Sequence, residues 1–218
     1  MNKEFAVFDM DGTLVDSMTY WQRLGREYLA AHGITEHVEA VLARIKAMTM
    51  VESAALFIEQ FGIPGTPEHV AEEMNAVMEH HYRNDIPLKS GAAAYLSALN
   101  AQGVQMCVAT ATPEPLAQAC LARLGILDRF RFVLSCDEVS AGKDRPDVFL
   151  EAARRFGQTP EKIAVYEDAC FAAQTAKRAG FYTVGVWDDS AAGRWEQLSA
   201  LTDETIRNWQ EAAETIRI

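Results

Sequence analysis

Five short apolar runs are spread along the chain, and they constrain the fold more than any other feature. The runs are apolar throughout instead of alternating with polar residues, so they predict strands buried on both faces, as in a parallel sheet covered by helices. Most of the segments between them carry apolar residues at helical spacing. This alternation predicts a doubly wound α/β sheet, in which ligands bind at the carboxyl ends of the strands. The predicted strands are Glu4–Phe8, Val104–Ala109, Phe132–Leu134, Ile163–Tyr166 and Thr183–Trp187.

The interval between the first two predicted strands is much longer than the others and contains no convincing strand. Apolar stripes that begin near Met18, Val38 and Val70 predict amphipathic helices within it. Thr66 followed by Pro67 is typical of a helix start, with the threonine as the cap and the proline in the first turn. The interval is therefore an inserted helical unit. The predicted division is 1–15 and 89–218 for the sheet-bearing core and 16–88 for the inserted unit.

Composition and charge narrow the function classes. The 218 residues are 49% hydrophobic, which is enough for one full core or for a core with a smaller second domain. A net charge of −11 without a basic cluster disfavours nucleic acid as a partner. No run approaches the roughly 18 apolar residues of a membrane span, and no secretory signal is evident. We expect a cytoplasmic protein that binds neither nucleic acid nor membranes.

The first strand leads directly into the sequence FDMDGTLVDS, residues 8–17, which concentrates negative charge at a strand end. Side chains two residues apart on an extended chain point the same way, so Asp9 and Asp11 can face one pocket. Gly12 then permits a sharp turn. Taken alone, this pattern fits an ordinary polar turn as well as it fits an active site.

The other strand ends supply polar groups too. Thr110 and Ala111 follow the second strand, Lys143 lies in the loop after the third, and Glu167 with Asp168 follows the fourth. Each could be a helix cap or a solvated surface group, but all of them lie at the same edge of the predicted sheet. Carboxylates that would repel each other and a phosphate become compatible when Mg²⁺, which prefers oxygen ligands, lies among them.

The ordered motifs DMDGTLVDS, ATAT, GKDRPD and YEDA resemble those of the haloacid dehalogenase superfamily phosphatases that carry a helical cap after the first strand. The resemblance extends over nearly the whole chain and includes β-phosphoglucomutase and phosphoglycolate phosphatase. It implies a Rossmann-like core with an inserted α-helical cap domain. It also implies a Mg²⁺-dependent phosphomonoester hydrolase that works through an aspartyl-phosphate intermediate.

The resemblance further implies a role for each motif residue. Asp9 would be the nucleophile, and Asp11 the general acid and base. Thr110, Ala111 and Lys143 would bind the phosphoryl group. The Mg²⁺ ligands would be Asp9, the backbone carbonyl of Asp11, Asp168 and, directly or through water, Glu167.

The inserted unit would select the substrate, and Trp21, Lys46 and Met50 are its candidate specificity residues. Phosphoglucomutases carry a KGxxR segment where this chain has KAMTM, so Met50 replaces the arginine. We therefore expect hydrolysis more than phosphoryl transfer within a sugar phosphate. A mutase and a non-enzymatic phospho-acceptor or phosphate-binding module remain alternatives. The expected partner is a small phosphorylated metabolite, with sugar phosphates, nucleotides and phosphoglycolate-like compounds all open.

Overall fold

Six parallel strands form one sheet in the computed structural model, which describes residues 3–45 and 48–216. The strands are β1 Phe5–Phe8, β2 Gln105–Thr110, β3 Val133–Ser135, β4 Ile163–Glu167, β5 Tyr182–Val186 and β6 Glu204–Ile206. Their order across the sheet is β3-β2-β1-β4-β5-β6, so the connections run outward from β1 in both directions. This order confirms the predicted Rossmann-like α/β core and places the topological switch point at β1.

The sixth strand is missing from the sequence-based prediction. β6 has three residues, of which only Ile206 is buried, and it pairs with β5 at the edge of the sheet. A strand with one buried side chain has no apolar run by which a sequence pattern could detect it. The five predicted strands are all present, with ends that differ by one residue or less.

The chain divides into two compact units, one of which is Ser17–Asp85. This helical unit contains α1 Met18–Ala31, α2 Glu39–Ile45, α3 Met50–Phe61 and α4 Pro67–Asn84. Local signals explain two of its helix starts. Thr49 and Glu52 form a reciprocal capping box at α3, and the Thr66 hydroxyl accepts a hydrogen bond from the amide of His69 at α4. The Thr66–Pro67 prediction is thus confirmed.

The other unit contains the sheet and comprises the residues up to Asp16 and those from Ile86 onward. Its helices are α5 Ala92–Ala101, α6 Glu114–Arg123, α7 Cys136–Val139, α8 Asp147–Phe156, α9 Cys170–Arg178, α10 Trp195–Leu201 and α11 Trp209–Ile216. Short 3-10 helices occur at Leu127–Arg129, Pro160–Lys162 and Asp189–Arg194. Among the described helices of both units, none is long and apolar enough to cross a membrane.

The central strand β1 is buried on both faces, and its side chains alternate between two cores. Val7 belongs to an aliphatic and aromatic core that includes Phe149 and Phe156 of α8. Phe8 stacks on Tyr166 of β4, with the ring centroids 4.2 Å apart. We call Phe8, Tyr95, Tyr166 and Trp209 the aromatic cluster. Because both faces are packed, the carboxyl ends of β1 and β4 are held at fixed positions. Asp9 and Asp168 come directly after these two strand ends.

Candidate active site

Asp9 is the first residue after β1, and the strand pairing fixes its backbone. Phe8 is in register with Val108 of β2 on one side and Tyr166 of β4 on the other. The amide of Asp9 continues this ladder, because it donates to the carbonyl of Tyr166 at 3.0 Å. The three strand ends therefore lie side by side, and Asp9 is only 6% exposed.

The loop after Asp9 folds back in a tight turn. The amides of Leu14 and Val15 both donate to the carbonyl of Met10, at 2.9 and 3.0 Å. Gly12 has φ +80°, and a Cβ built there would lie 2.5 Å from Oδ2 of Asp168. The position thus requires glycine for its backbone conformation and for the close approach of the neighbouring carboxylate. The turn brings the first motif directly against the end of β4.

Three buried carboxylates meet at this point, from Asp9, Glu167 and Asp168. Each contributes one oxygen, and these oxygens lie within 4.8 Å of one another; it is the one such cluster found among residues 3–45 and 48–216. Lys143 reaches it from the loop before α8 and donates to Asp9 and to Oε1 of Glu167, the latter at 2.7 Å. The Thr13 hydroxyl donates to Oδ1 of Asp168 at 3.2 Å. We call Asp9, Lys143, Glu167 and Asp168 the acid cluster.

The acid cluster has more negative than positive charge in a buried site. Burial raises the pKa of Asp9 to about 7, although the Lys143 ammonium acts in the opposite direction. Burial also raises the pKa of Asp168 to about 7, with a contribution from the charge on Asp9. Glu167 likewise has a raised pKa, chiefly because it is buried. Burial lowers the pKa of Lys143, but Asp9 and Glu167 outweigh this and keep it above its ordinary value, so the ammonium stays charged.

The chemistry of the donor set fits a hard divalent cation. The candidate ligand atoms are carboxylate oxygens, which such ions prefer. The cluster contains three acids and one buried ammonium, so a cation would offset its excess negative charge. A cation bound among these oxygens would lower the pKa of each carboxyl group back towards its ordinary range. The residues present are therefore suited to holding a metal ion.

Asp11 has a different environment from the acid cluster. It is half-buried, and Oδ2 accepts hydrogen bonds from the hydroxyls of Thr110 at 3.3 Å and Thr112 at 2.7 Å. The amide of Thr112 in turn donates to the Thr110 hydroxyl at 3.0 Å. The sequence analysis identified Thr110 as a site residue but did not include Thr112. Its hydroxyl makes the shorter bond to Asp11, so Thr112 belongs to the site.

The structure thus brings together most of the predicted core residues and shows two subsites. Asp9, Lys143, Glu167 and Asp168 form one, whereas Asp11 and Thr110 form the other with Thr112. Ala111 lies exposed in the bend between β2 and α6.

Two of the three residues predicted for substrate selection, Trp21 and Met50, lie in the helical unit. Trp21 is half-buried in α1, and its indole N–H donates to the hydroxyl of Tyr82 at 3.1 Å. Met50 is half-buried in the first turn of α3. Lys46 lies outside the described residues.

Comparison with known proteins identifies the family to which the chain is similar. A family model described as haloacid dehalogenase-like hydrolase matches residues 4–180. The chain is 29% identical over 184 residues to the fructose-1-phosphate phosphatase of Escherichia coli, covering 83% of this chain and 94% of that protein. It is 30% identical over 188 residues to the validoxylamine A 7′-phosphate phosphatase of Streptomyces hygroscopicus subsp. limoneus, covering 83% and 84%.

Solved structures show the same fold. A Thermotoga maritima protein provisionally named a β-phosphoglucomutase superposes with a TM-score of 0.83, at 24% identity, over 98% of each chain. The family match extends over most of the chain and includes every residue of the acid cluster. The chain therefore belongs to the haloacid dehalogenase-like hydrolase family, and it is a phosphatase of that family.

Proposed function

We propose that this phosphatase is a Mg²⁺-dependent phosphomonoesterase that forms an aspartyl-phosphate on Asp9 and acts on small sugar or polyol phosphates. The observation that carries the proposal is the pairing of two unlike carboxylate environments at one sheet edge. Asp9 lies in the buried acid cluster, whereas Asp11 is held apart by two threonine hydroxyls. Carboxylates in different surroundings can take different protonation roles in one reaction.

Asp9 is suited to act as the nucleophile. Its position at the rigid end of β1 fixes the direction of attack, and its contact with Lys143 favours the ionised form that attack requires. In the first step an oxygen of Asp9 forms a bond to phosphorus while the bond from phosphorus to the ester oxygen breaks. Lys143 also offers positive charge to the phosphoryl oxygens, and Thr110 with the backbone near Ala111 would complete the phosphate site.

Asp11 is suited to move the proton. As the ester bond breaks, Asp11 gives its proton to the departing oxygen, which leaves as an alcohol. In the second step Asp11 takes a proton from a water molecule as that water attacks phosphorus. The bond between phosphorus and Asp9 then breaks, which releases inorganic phosphate and restores the Asp9 carboxylate. The hydroxyls of Thr110 and Thr112 orient Asp11 for both transfers.

Asp9, Asp168 and Glu167, with the backbone carbonyl of Asp11, would hold Mg²⁺. When bound, Mg²⁺ would supply positive charge that offsets the acid cluster and the phosphoryl oxygens. The raised pKa values of Asp9 and Asp168 support this assignment, because they show how unfavourable the cluster is as three free anions.

The substrate class rests on the relatives. One protein 29% identical to this chain is named a fructose-1-phosphate phosphatase, and another, 30% identical, is named a hexitol phosphatase. Both names refer to phosphate esters of small polyhydroxy compounds. These names favour hydrolysis of such esters over the mutase and signalling alternatives. The helical unit is proposed as the cap that selects among them, with Trp21, Lys46 and Met50 as the residues to vary, and the enzyme is proposed to act in the cytoplasm.

A phosphate-release screen tests the proposal. The panel should contain fructose 1-phosphate, glycerol 3-phosphate, a hexitol phosphate, a nucleoside monophosphate and phosphoglycolate, each with Mg²⁺ or with chelator. We expect turnover with Mg²⁺ on the polyol and sugar phosphates. Asp9→Asn and Asp11→Asn should each lower kcat by at least about a thousandfold, as loss of a central catalytic group does.

The control is Asp128→Asn, which removes an exposed acid outside the four motifs and should leave turnover unchanged. Equal rates for wild type and Asp9→Asn would contradict the nucleophile assignment. Incubation with glucose 1-phosphate separates hydrolysis from transfer. Formation of glucose 6-phosphate without release of inorganic phosphate would show a mutase instead.

A further inference from the structure

Trp209 makes a direct contact with the first catalytic motif. Its indole N–H donates to the backbone carbonyl of Thr13 at 3.1 Å, and both residues are buried. Trp209 is the first residue of α11, so it lies beyond residue 180, where the match to the family model ends. A contact between a segment outside the family match and a motif inside it suggests a role particular to this chain.

Thr13 connects this contact to the acid cluster. Its side chain is fully buried, and its hydroxyl donates to Oδ1 of Asp168 at 3.2 Å. One residue therefore receives a hydrogen bond from Trp209 on its backbone and gives one to Asp168 from its side chain. The hydroxyl bond restrains the rotation of the Asp168 carboxylate and leaves its remaining lone pairs free for other partners.

The packing around Trp209 makes it a firm point of attachment. Its ring lies 4.8 Å from that of Tyr95 and 6.0 Å from that of Tyr166, measured between centroids, within the aromatic cluster. The backbone of α11 also approaches α5 very closely, since a Cβ at Gly91 would lie 2.4 Å from the amide nitrogen of Gln210. Glycine at position 91 permits this approach, which lets the indole reach Thr13.

We propose that Trp209 is a positioning residue for the metal site, acting through Thr13 on Asp168. The inference rests on the proposed function, because it assumes that the acid cluster binds Mg²⁺. Residues that hold a metal ligand in orientation commonly affect metal affinity strongly. Trp209 fixes the Thr13 peptide, Thr13 fixes the carboxylate, and the carboxylate is thereby presented in the direction of Asp9 and Glu167.

The test measures the Mg²⁺ affinity of the 218-residue chain without substrate, from the rise in Tm as MgCl₂ is added. Trp209→Phe keeps an aromatic ring in the cluster but removes the indole donor. Thr13→Val removes the hydroxyl donor to Asp168. Tyr95→Phe is the matched control, because it deletes the Tyr95 hydroxyl, which lies 2.9 Å from the Tyr166 hydroxyl in the same cluster, and leaves Thr13 untouched.

We expect Thr13→Val to raise the apparent Kd for Mg²⁺ by about 10- to 100-fold, the range for residues in direct contact with a ligand. Trp209→Phe, one contact further away, should raise it by about 3- to 10-fold. The double variant should bind Mg²⁺ no more weakly than Thr13→Val alone, because the link is already broken. Tyr95→Phe should lower Tm without Mg²⁺ yet keep the wild-type Kd.

The inference is overturned if Trp209→Phe keeps a Kd within twofold of wild type, or if Tyr95→Phe weakens Mg²⁺ binding to the same degree. Multiplicative effects in the double variant would also overturn it, since they would show that Trp209 acts independently of Thr13. If the wild-type Tm does not respond to MgCl₂ at all, the proposed metal site itself is wrong and the inference fails with it.

Discussion

Replacing Lys143 with methionine should destabilise the metal-free protein, and the loss should grow with pH. The lysine side chain is 7% exposed and is paired with the side chains of Asp9 and Glu167, which are also almost fully buried. Methionine fills a similar volume but removes the ammonium group that is paired with Asp9 and Glu167. Removing one partner of a buried ion pair typically costs about 3–5 kcal/mol. In a chain of this length that corresponds to a fall in Tm of about 6–20 °C.

The pH dependence follows from the raised pKa values. A carboxyl group whose pKa is higher in the folded state binds more protons there, so the free energy of unfolding falls as pH rises through the window between the two values. For Asp9 and Asp168 this window runs from the ordinary aspartate pKa of 3.8 to about 7 in the folded state. Loss of Lys143 raises these pKa values further. The deficit should therefore be largest near pH 8 and small near pH 5, where the acids of the variant are protonated.

Thermal unfolding at pH 5 and pH 8, with chelator and with MgCl₂, measures these effects. At pH 8 Mg²⁺ should raise the Tm of Lys143→Met more than that of wild type, because a bound cation replaces the missing charge. The control is Lys177→Met, which removes a half-exposed pair with Asp203 and should cost at most about 1 kcal/mol. A Tm for Lys143→Met within about 2 °C of wild type at pH 8, or the same deficit at both pH values, would refute the reasoning.

Three other substitutions have expected outcomes. Gly12→Ala should raise the Mg²⁺ concentration needed for half-maximal phosphate release by about 10- to 100-fold, since its Cβ would displace the carboxylate of Asp168. An unchanged Mg²⁺ requirement would contradict this. Thr112→Val removes a 2.7 Å bond to Asp11 worth about 1.5–3 kcal/mol, so kcat should fall about 10- to 100-fold with little change in KM. Burial lowers the pKa of His81, but hydrogen bonds to two acidic neighbours outweigh it and raise the pKa overall. Wild-type Tm should therefore fall as pH rises above about 6.5, whereas His81→Gln should show a flatter profile.

The strands of the core were predictable because each one crosses a buried sheet and carries an apolar run. The exception is β6, which has a single buried side chain and pairs on one side only. Its position depends on the register with β5, which no local pattern specifies. The helical unit was predictable for a different reason, since its helices bury stripes such as Val70, Met74 and Met78 of α4 on one face.

The acid cluster could be predicted because parallel strands bring their carboxyl ends to one edge of the sheet. The strand order then places β1 directly beside β4. Thr112 could not be found in this way. It lies two residues beyond β2, where the chain has already turned, and only the bend at Ala111 directs its hydroxyl back to Asp11. Trp209 was equally hidden, because its indole reaches Thr13 through the packing of α11 on α5 rather than through any motif.

The register of β1 has a consequence for how the enzyme matures. Phe8 is in register with Val108 on one side and with Tyr166 on the other, so the acids come together only after segments far apart along the chain have paired. Pairings of this kind form slowly, because closing long loops costs entropy before the contacts repay it. A newly made chain would therefore assemble the acid cluster only after the central sheet has formed, so its active site is completed late in folding.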